Sequence, residues 1–465
     1  MKRFAATIIT ALLLQFGVAD QHFAILLAGQ RMGSVIYREA TKPYLGKTAK
    51  WTQNITAINS QLLGQAVQMH IVETSWTKPT GEPLRMQYTM ESGGRTTSMD
   101  AVFGAKTATL ELLDNGNRSR RTLAIPKDAP VVDDAMMASL SSPGKSTAYY
   151  ILDPTVNDFV KNSAKTIGQR KFDLFGKSYT ATAVEITDPR AVTTIYVSAK
   201  GDFIKADAPM GMEIVPEGLY VASSRHDLPA TLDLADATSV PTDKPINDTV
   251  PIQELDLRFT GANFGRAPSD GFQTVTQSGE RTWMVSIHPP QNEGVASKTI
   301  AEAAAAEPTW TKPDLHVPSD DDHMKMLAQR IVGEKTSALD ASLAIRKYVF
   351  QQMRPNAGIG VLRDAREVLK TREGVCRDYA ILMATLTRAA GIPTKLASGL
   401  VYFNERFYYH AWVEVFDGNR WIGLDSTVPQ EQISATHVKL RCGTVGDAVM
   451  FQVLDGAKAE VLRVK

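Results

Sequence analysis

Between Thr371 and Pro393 the chain reads TREGVCRDYAILMATLTRAAGIP, and this stretch constrains the fold more than any other. Its apolar residues fall at 375, 379, 382, 383, 386 and 390, one face of a helix. Gly391 ends that helix and Pro393 prevents it from resuming. Cys376, one of only two cysteines in 465 residues, therefore occupies its first turn. Free backbone N–H groups and the positive end of the helix dipole favour a thiolate there. Cysteines so placed can have a pKa lowered to roughly 3.5–7.5, and Arg377 would add to the effect. The competing reading is a small buried hydrophobe at a helix start.

The neighbours of this helix define a domain class. Ser319 followed by Asp320, Asp321 and Asp322 reads as a helix start, with acids against the dipole. TSALDASLAIRKYVF (336–350) carries Leu339, Leu343, Ile345 and Val349 at helical spacing, and DAREVLKT (364–371) is a short helix. After the Cys376 helix come three strand patterns, LASGLVYF, RFYYHAWVEVF and RWIGLDST. Helices first and an antiparallel sheet afterwards indicate an α+β domain over 310–465.

The rest of the chain has a different period. MKRFAATIITALLLQFGVAD, with Lys2 and Arg3, an apolar run and small residues near Ala19, is laid out as a secretory signal over 1–19. The run is short for a membrane span of ~20 residues, so the mature protein is expected to be periplasmic or secreted, with no span. Residues 20–225 read as an antiparallel β domain. PLRMQYTMES alternates cleanly, and Asp114-Asn115-Gly116-Asn117 and Lys200-Gly201 each sit between apolar runs as hairpin signals. This pattern resembles the half-barrel domains of bacterial envelope lipoprotein carriers, and it leaves room for an envelope partner. Residues 226–251 read as a linker, 252–300 as a short β region, and AEAAAAEPTWTKP (301–313) as a connector. The fold class is thus multidomain. At 22% charged and 43% hydrophobic residues the chain has room for sizeable cores, and its net charge of +1 argues against nucleic acid as a partner.

Export sharpens the question of the cysteine, since in an oxidising compartment Cys376 and Cys442 could simply pair. A working thiolate instead needs a proton shuttle and a group to orient it. His226, His288 and His316 stand beside prolines or in linker-like sequence, and His323 lies on an acidic helix start. His410 is inside FYYHAWVEVF, on the strand face shared by Tyr408, Trp412 and Glu414. Asp417-Gly418 then separates that strand from one bearing Asp425. Asp-Gly favours a two-residue hairpin loop, which pairs Phe416 with Asn419 and sets Asp425 directly across from His410.

REGVCRDYA with Cys376, YYHAWVEV with His410 and WIGLDST with Asp425 resemble, in this order, the transglutaminase-like superfamily and its papain-related core. GIPTKLASGLVY and ATHVKL look like its bacterial members. The resemblance implies that Cys376 is the nucleophile, His410 the general acid/base and Asp425 its orienting partner. It implies thiol-dependent acyl transfer on the amide bonds of a protein or peptide substrate; the chain shows no calcium-ligand run such as DxDxDG, so no metal and no cofactor are expected. Lys370 stands where papain-like proteases carry an oxyanion-hole glutamine, so the second oxyanion donor is open. Trp412 and Trp421 are candidates by type, against plain packing of the sheet face. Hydrolysis is the favoured outcome. Glutamine cross-linking is the alternative, and an inactive binding scaffold is the second.

Overall fold

Alternation with a period of two dictates strands, and the first half of the chain follows it almost throughout. In the computed structural model the described residues are 20–132, 146–222, 233–290, 296–358, 362–448 and 454–465, apart from positions 28, 63, 115, 189, 190, 209, 210, 263, 266, 315 and 455. The expected signal at 1–19 and His226 lie outside the described residues. The chain divides into two units, Met1–Ala237 and Thr238–Lys465.

The described residues of the first unit build a fourteen-stranded antiparallel sheet. The strands from Gln21–Leu27 to Asn117–Ala124 form one meander. Those from Ser146–Asp153 to Met212–Pro216 form a second, whose last strand pairs with Gln21–Leu27. Both hairpins expected from the sequence are present. Asp114 pairs with Asn117, and Ala191–Val197 pairs with Phe203–Ala208 around Gly201, whose φ is 88°. Ile25, Val35, Ile58, Ile71, Tyr88 and Met99 are among its buried residues.

In the second unit the helices precede the sheet, as expected, and the starts move only slightly. The helix expected from Ser319 is Asp322–Val332, because Asp321 rather than Ser319 caps it, accepting from the N–H groups of His323 and Met324. Ala338–Gln352, Ala365–Thr371 and Cys376–Ala389 follow. A sheet is ordered Val240–Pro241, Arg406–Phe416, Thr394–Phe403, His437–Gly443, with Trp421–Leu424 paired beside part of Arg406–Phe416. A second sheet is ordered Gln273–Gly279, Thr282–Ile287, Leu255–Thr260, Lys458–Val464. One core lies between the helices and the first sheet, with Ile345, Leu382, Leu386, Val413 and Leu424. The other lies between the two sheets, with Phe259, Val285, Leu400, Trp412 and Val438.

These contacts move the domain boundaries. The described part of the expected linker, 233–251, carries a helical turn at Leu234–Ala237 and the strand Val240–Pro241, which adds to the His410 strand. The expected separate region 252–300 is tied to the chain's last strand, Leu255–Thr260 pairing with Lys458–Val464. The expected connector 301–313 contains a helix, Ile300–Ala306, with a capping box from Thr299 and Glu302. The reason is common to the first two. Turn-rich composition marks a break in local periodicity, and pairing with a strand distant in sequence leaves no local trace.

The Cys376 helix differs from its amphipathic pattern, since every residue from Asp378 to Arg388 is buried. Several of its polar side chains are hydrogen-bonded within the helix or to the chain that follows it. Thr385 and Thr387 donate to the carbonyls of Ile381 and Met383 at 2.8 and 2.9 Å, and Arg388 donates to Thr394 O at 2.9 Å. A central helix, not a surface one, therefore delivers the thiol.

Gly399 fixes the depth of the sheet at the site. It pairs with His410 on one side and Lys439 on the other, and a Cβ there would lie 1.9 Å from Val438 O. Gly399→Ala should cost about 1–3 kcal/mol through overpacking, read as a lower denaturation midpoint. An unchanged midpoint would contradict this packing.

Candidate active site

The Arg406–Phe416 strand is paired along its whole length with Thr394–Phe403, but its other side is paired only at its ends. Val240 pairs with Phe407, and Leu424 pairs with Val413. Between those positions no strand pairs with this edge among the described residues, and there the Ala411 backbone meets Cys376, in the first turn of its helix. The sulfur of Cys376 takes a hydrogen bond from the Ala411 backbone and is hydrogen-bonded to the His410 side chain.

His410 Nε2 lies 2.7 Å from Asp425 Oδ2, which leaves Nδ1 for the thiol. Asp425 follows immediately after the last residue of its strand, Leu424. Its carboxylate is 1% exposed and held on both oxygens. The N–H and Oγ1 of Thr427 both donate to Oδ1 at 2.7 Å, and His437 Nε2 lies 3.5 Å from Oδ2. The buried guanidinium of Arg346 donates to the carbonyls of Asp425, Val428 and Pro429 at 3.2, 2.6 and 3.1 Å, which pins the segment that carries the carboxylate. Thus Cys376, His410 and Asp425, named from the sequence, come together in one place.

The expected register does not hold. Phe416 pairs with Trp421, not Asn419, so Asp425 is diagonal to His410 and not directly opposite. The turn is centred one residue later. Asp417 is its first corner, 1% exposed, with Oδ1 accepting from the N–H groups of Asn419 and Arg420 at 2.8 and 2.9 Å. Gly418 takes the first central position with a φ of 94°. A buried, self-bonding Asp at the corner displaces the two-residue loop. The slip is by two residues across the pair, so Asp425 keeps the face of His410, and a diagonal neighbour is still within reach.

Electrostatics follow from this burial and pairing. For Cys376, burial works against the thiolate, but the hydrogen bond and charge of His410 outweigh it and lower the pKa. For His410, burial opposes the imidazolium, yet the Asp425 carboxylate and the thiol push it up to about 10. Burial would raise Asp425, but the charge of His410 and bonds from both histidines hold it far below the usual carboxylate range. The set is arranged as an ion pair, thiolate with imidazolium, over a carboxylate that stays ionised.

Other expectations resolve differently. Both cysteines are free, so the Cys376–Cys442 disulfide reading is overturned. Cys442 lies on the His437–Gly443 strand with Sγ donating to Glu414 Oε2 at 3.0 Å; burial and Glu414 push its thiol well up. Lys370 is exposed on its own helix. Trp412 is 1% exposed, its ring within 6.3 Å of His410 and 5.2 Å of His437. Trp421 packs on Phe416, Trp310 and Lys395.

His437 has no local mark in ATHVKL; only the pairing of its strand with Thr394–Phe403 carries it to Asp425. By residue type, His410, Asp425 and His437, with ligand atoms all within 4.8 Å of one another, could also hold a divalent ion. As they stand, the 2.7 Å separation of His410 and Asp425 is a hydrogen bond.

Residues 325–426 match the model of the transglutaminase-like superfamily, and residues 28–212 match that of a protein of unknown function, DUF3108. Among solved structures, a candidate cysteine protease from Cytophaga hutchinsonii is 18% identical with a TM-score of 0.34, covering 46% of this chain and 85% of its own. A β-barrel-like DUF1849 domain protein from Brucella abortus is 12% identical, TM-score 0.32, over 42% of this chain and 95% of its own. A candidate protease from Parabacteroides distasonis is 13% identical, TM-score 0.20, over 74% and 69%. A search of the curated proteins finds no match. Among the described residues no helix is long and apolar enough to cross a membrane.

Proposed function

We propose that the chain, whose second unit carries a transglutaminase-like domain, is an acyl-transfer enzyme working through a Cys376 thioester, with water as the resolving acceptor. The observation that carries the reading is the chain of contacts from the Cys376 sulfur through His410 to Asp425, closed by the 2.7 Å bond. The Cys376 thiolate attacks an amide carbonyl of a peptide or protein. The Cys376 backbone N–H, at the open start of its helix, is placed to stabilise the oxyanion. His410 gives its proton to the departing amine, and Asp425 stabilises the imidazolium before that transfer. Water, deprotonated by His410, then releases the acid and restores the thiolate. The signal-like segment over 1–19 supports a site of action outside the cytoplasm.

Charge supports hydrolysis over cross-linking. Arg377 acts on the thiol as a positive charge, and it keeps that charge after His410 has given its proton to the departing amine. A lysine acceptor would have to bring its ammonium into that field, whereas water meets no such penalty. With a glutamine-containing peptide and excess primary amine, the acid product should dominate. A majority of amine-linked product would overturn the hydrolytic part and leave the thioester chemistry in place.

A further inference from the structure

His437 is a buried histidine that the steps above do not use. It reaches Asp425 from the strand His437–Gly443, on the far side of Thr394–Phe403 from His410. Its Nε2 approaches Oδ2, the same oxygen that His410 holds, at 3.5 Å against 2.7 Å. The rings of His410, Trp412 and His437 form one cluster, with His410 and His437 5.8 Å apart and edge to face. Packing of this kind leaves the His437 ring little freedom, so its contact with Asp425 is set by the fold.

We propose that His437 is a positioning residue for the Cys376 reaction, acting as a neutral N–H donor that holds Oδ2 of Asp425 toward His410; this rests on the acyl-transfer reading above. Burial disfavours a second imidazolium here, and it lowers the affinity of His437 for a proton against the pull of Asp425. A neutral ring facing a carboxylate must present Nε2–H. The effect on the chemistry is specific. Thr427 satisfies Oδ1 alone, so without His437 the oxygen that faces His410 has a single partner among the described residues. A second donor on Oδ2 makes that oxygen a weaker base, and the proton stays on His410 for delivery to the leaving amine. It also restrains rotation of the carboxylate, which aims Nδ1 of His410 at the sulfur.

The test compares side chains of matched chemistry and different reach. His437→Gln can place an amide N–H near the position of Nε2, whereas His437→Asn is too short and His437→Met has no donor. A hydrogen bond to a charged group corresponds to roughly a ten- to hundredfold effect when it is removed. His437→Asn and His437→Met should lower kcat by about tenfold or more with KM changed less than about twofold. Both should slow iodoacetamide alkylation of Cys376 at pH 7, a readout that needs no substrate. His437→Gln should stay within about threefold of the wild type in both measurements. Three variants all equal to wild type would overturn the proposal, as would a Gln variant no better than Asn and Met. If wild-type Cys376 itself alkylates no faster than Cys442, the acyl-transfer reading fails and the role of His437 falls with it. The first two outcomes leave a reactive wild-type thiol, so the two failures are told apart.

Discussion

Cys376→Ala should leave no measurable turnover, a loss of at least about a thousandfold as expected for removal of a catalytic nucleophile. The argument rests on the difference between the two thiols. Cys376 is lowered by His410 against the opposing effect of burial, whereas Cys442 is pushed up by burial and by Glu414. Iodoacetamide reacts with thiolates, so near pH 6 it should modify Cys376 well before Cys442, as mapped on peptides. The sign of the pH dependence follows from the same pair. The thiolate is lost as pH falls below the lowered pKa of Cys376. His410, raised to about 10, keeps its proton through neutral pH and loses it as pH rises through that value. Activity should therefore hold across neutrality and fall toward pH 10, once the general acid is gone. Equal, slow labelling of both cysteines at pH 6 would remove the basis for the mechanism.

Arg363→Met should destabilise the second unit by about 3–5 kcal/mol, the cost of removing one partner from a buried ion pair. Arg363 and Asp378 are both 0% exposed, with Nε to Oδ1 at 3.2 Å. Arg363 also donates to Thr371 Oγ1 at 2.9 Å and to the carbonyl of Glu373. Asp378 accepts from Val375 N–H at 2.9 Å, one residue before Cys376. A Cβ on Gly374 would lie 2.6 Å from both side chains, so the segment entering the Cys376 helix is packed directly on the pair. For a unit of this size the expected fall in Tm is roughly 6–20 °C, from about 2–4 °C per kcal/mol. Arg363→Met combined with Asp378→Leu should recover much of the loss, because no buried charge is then left alone. A single variant as stable as wild type would show that the pair contributes nothing. A double variant as unstable as the single one would assign the loss to packing.

How much was legible depended on the range of the interaction. The stop at Gly391 and the start at Cys376 are local, written in capping and periodicity, and the helix spans Cys376–Ala389 as the pattern indicates. Alternation placed His410 in mid-strand, and the order of three short blocks brought in Asp425. The turn could be judged only in part. Asp417-Gly418 signals a hairpin, but whether Asp417 is its centre or its corner depends on burial, and Asp417 is buried at the corner. Register survives the error because a slip of two residues preserves the face.

By itself the sequence determined the helix that carries the thiol and the strand that carries the imidazole. Each follows from a period or a cap spanning a few residues. Tertiary structure alone decided what makes them a site. Trp421–Leu424 leaves the ladder just before Asp425, and Val240–Pro241 joins it only near Phe407, which opens the edge where the Ala411 backbone meets Cys376. It likewise brought Arg346 to the Asp425 segment from a helix 79 residues away in the chain. Such contacts close long loops and are rewarded only when the whole sheet has formed, so no short window of sequence contains them.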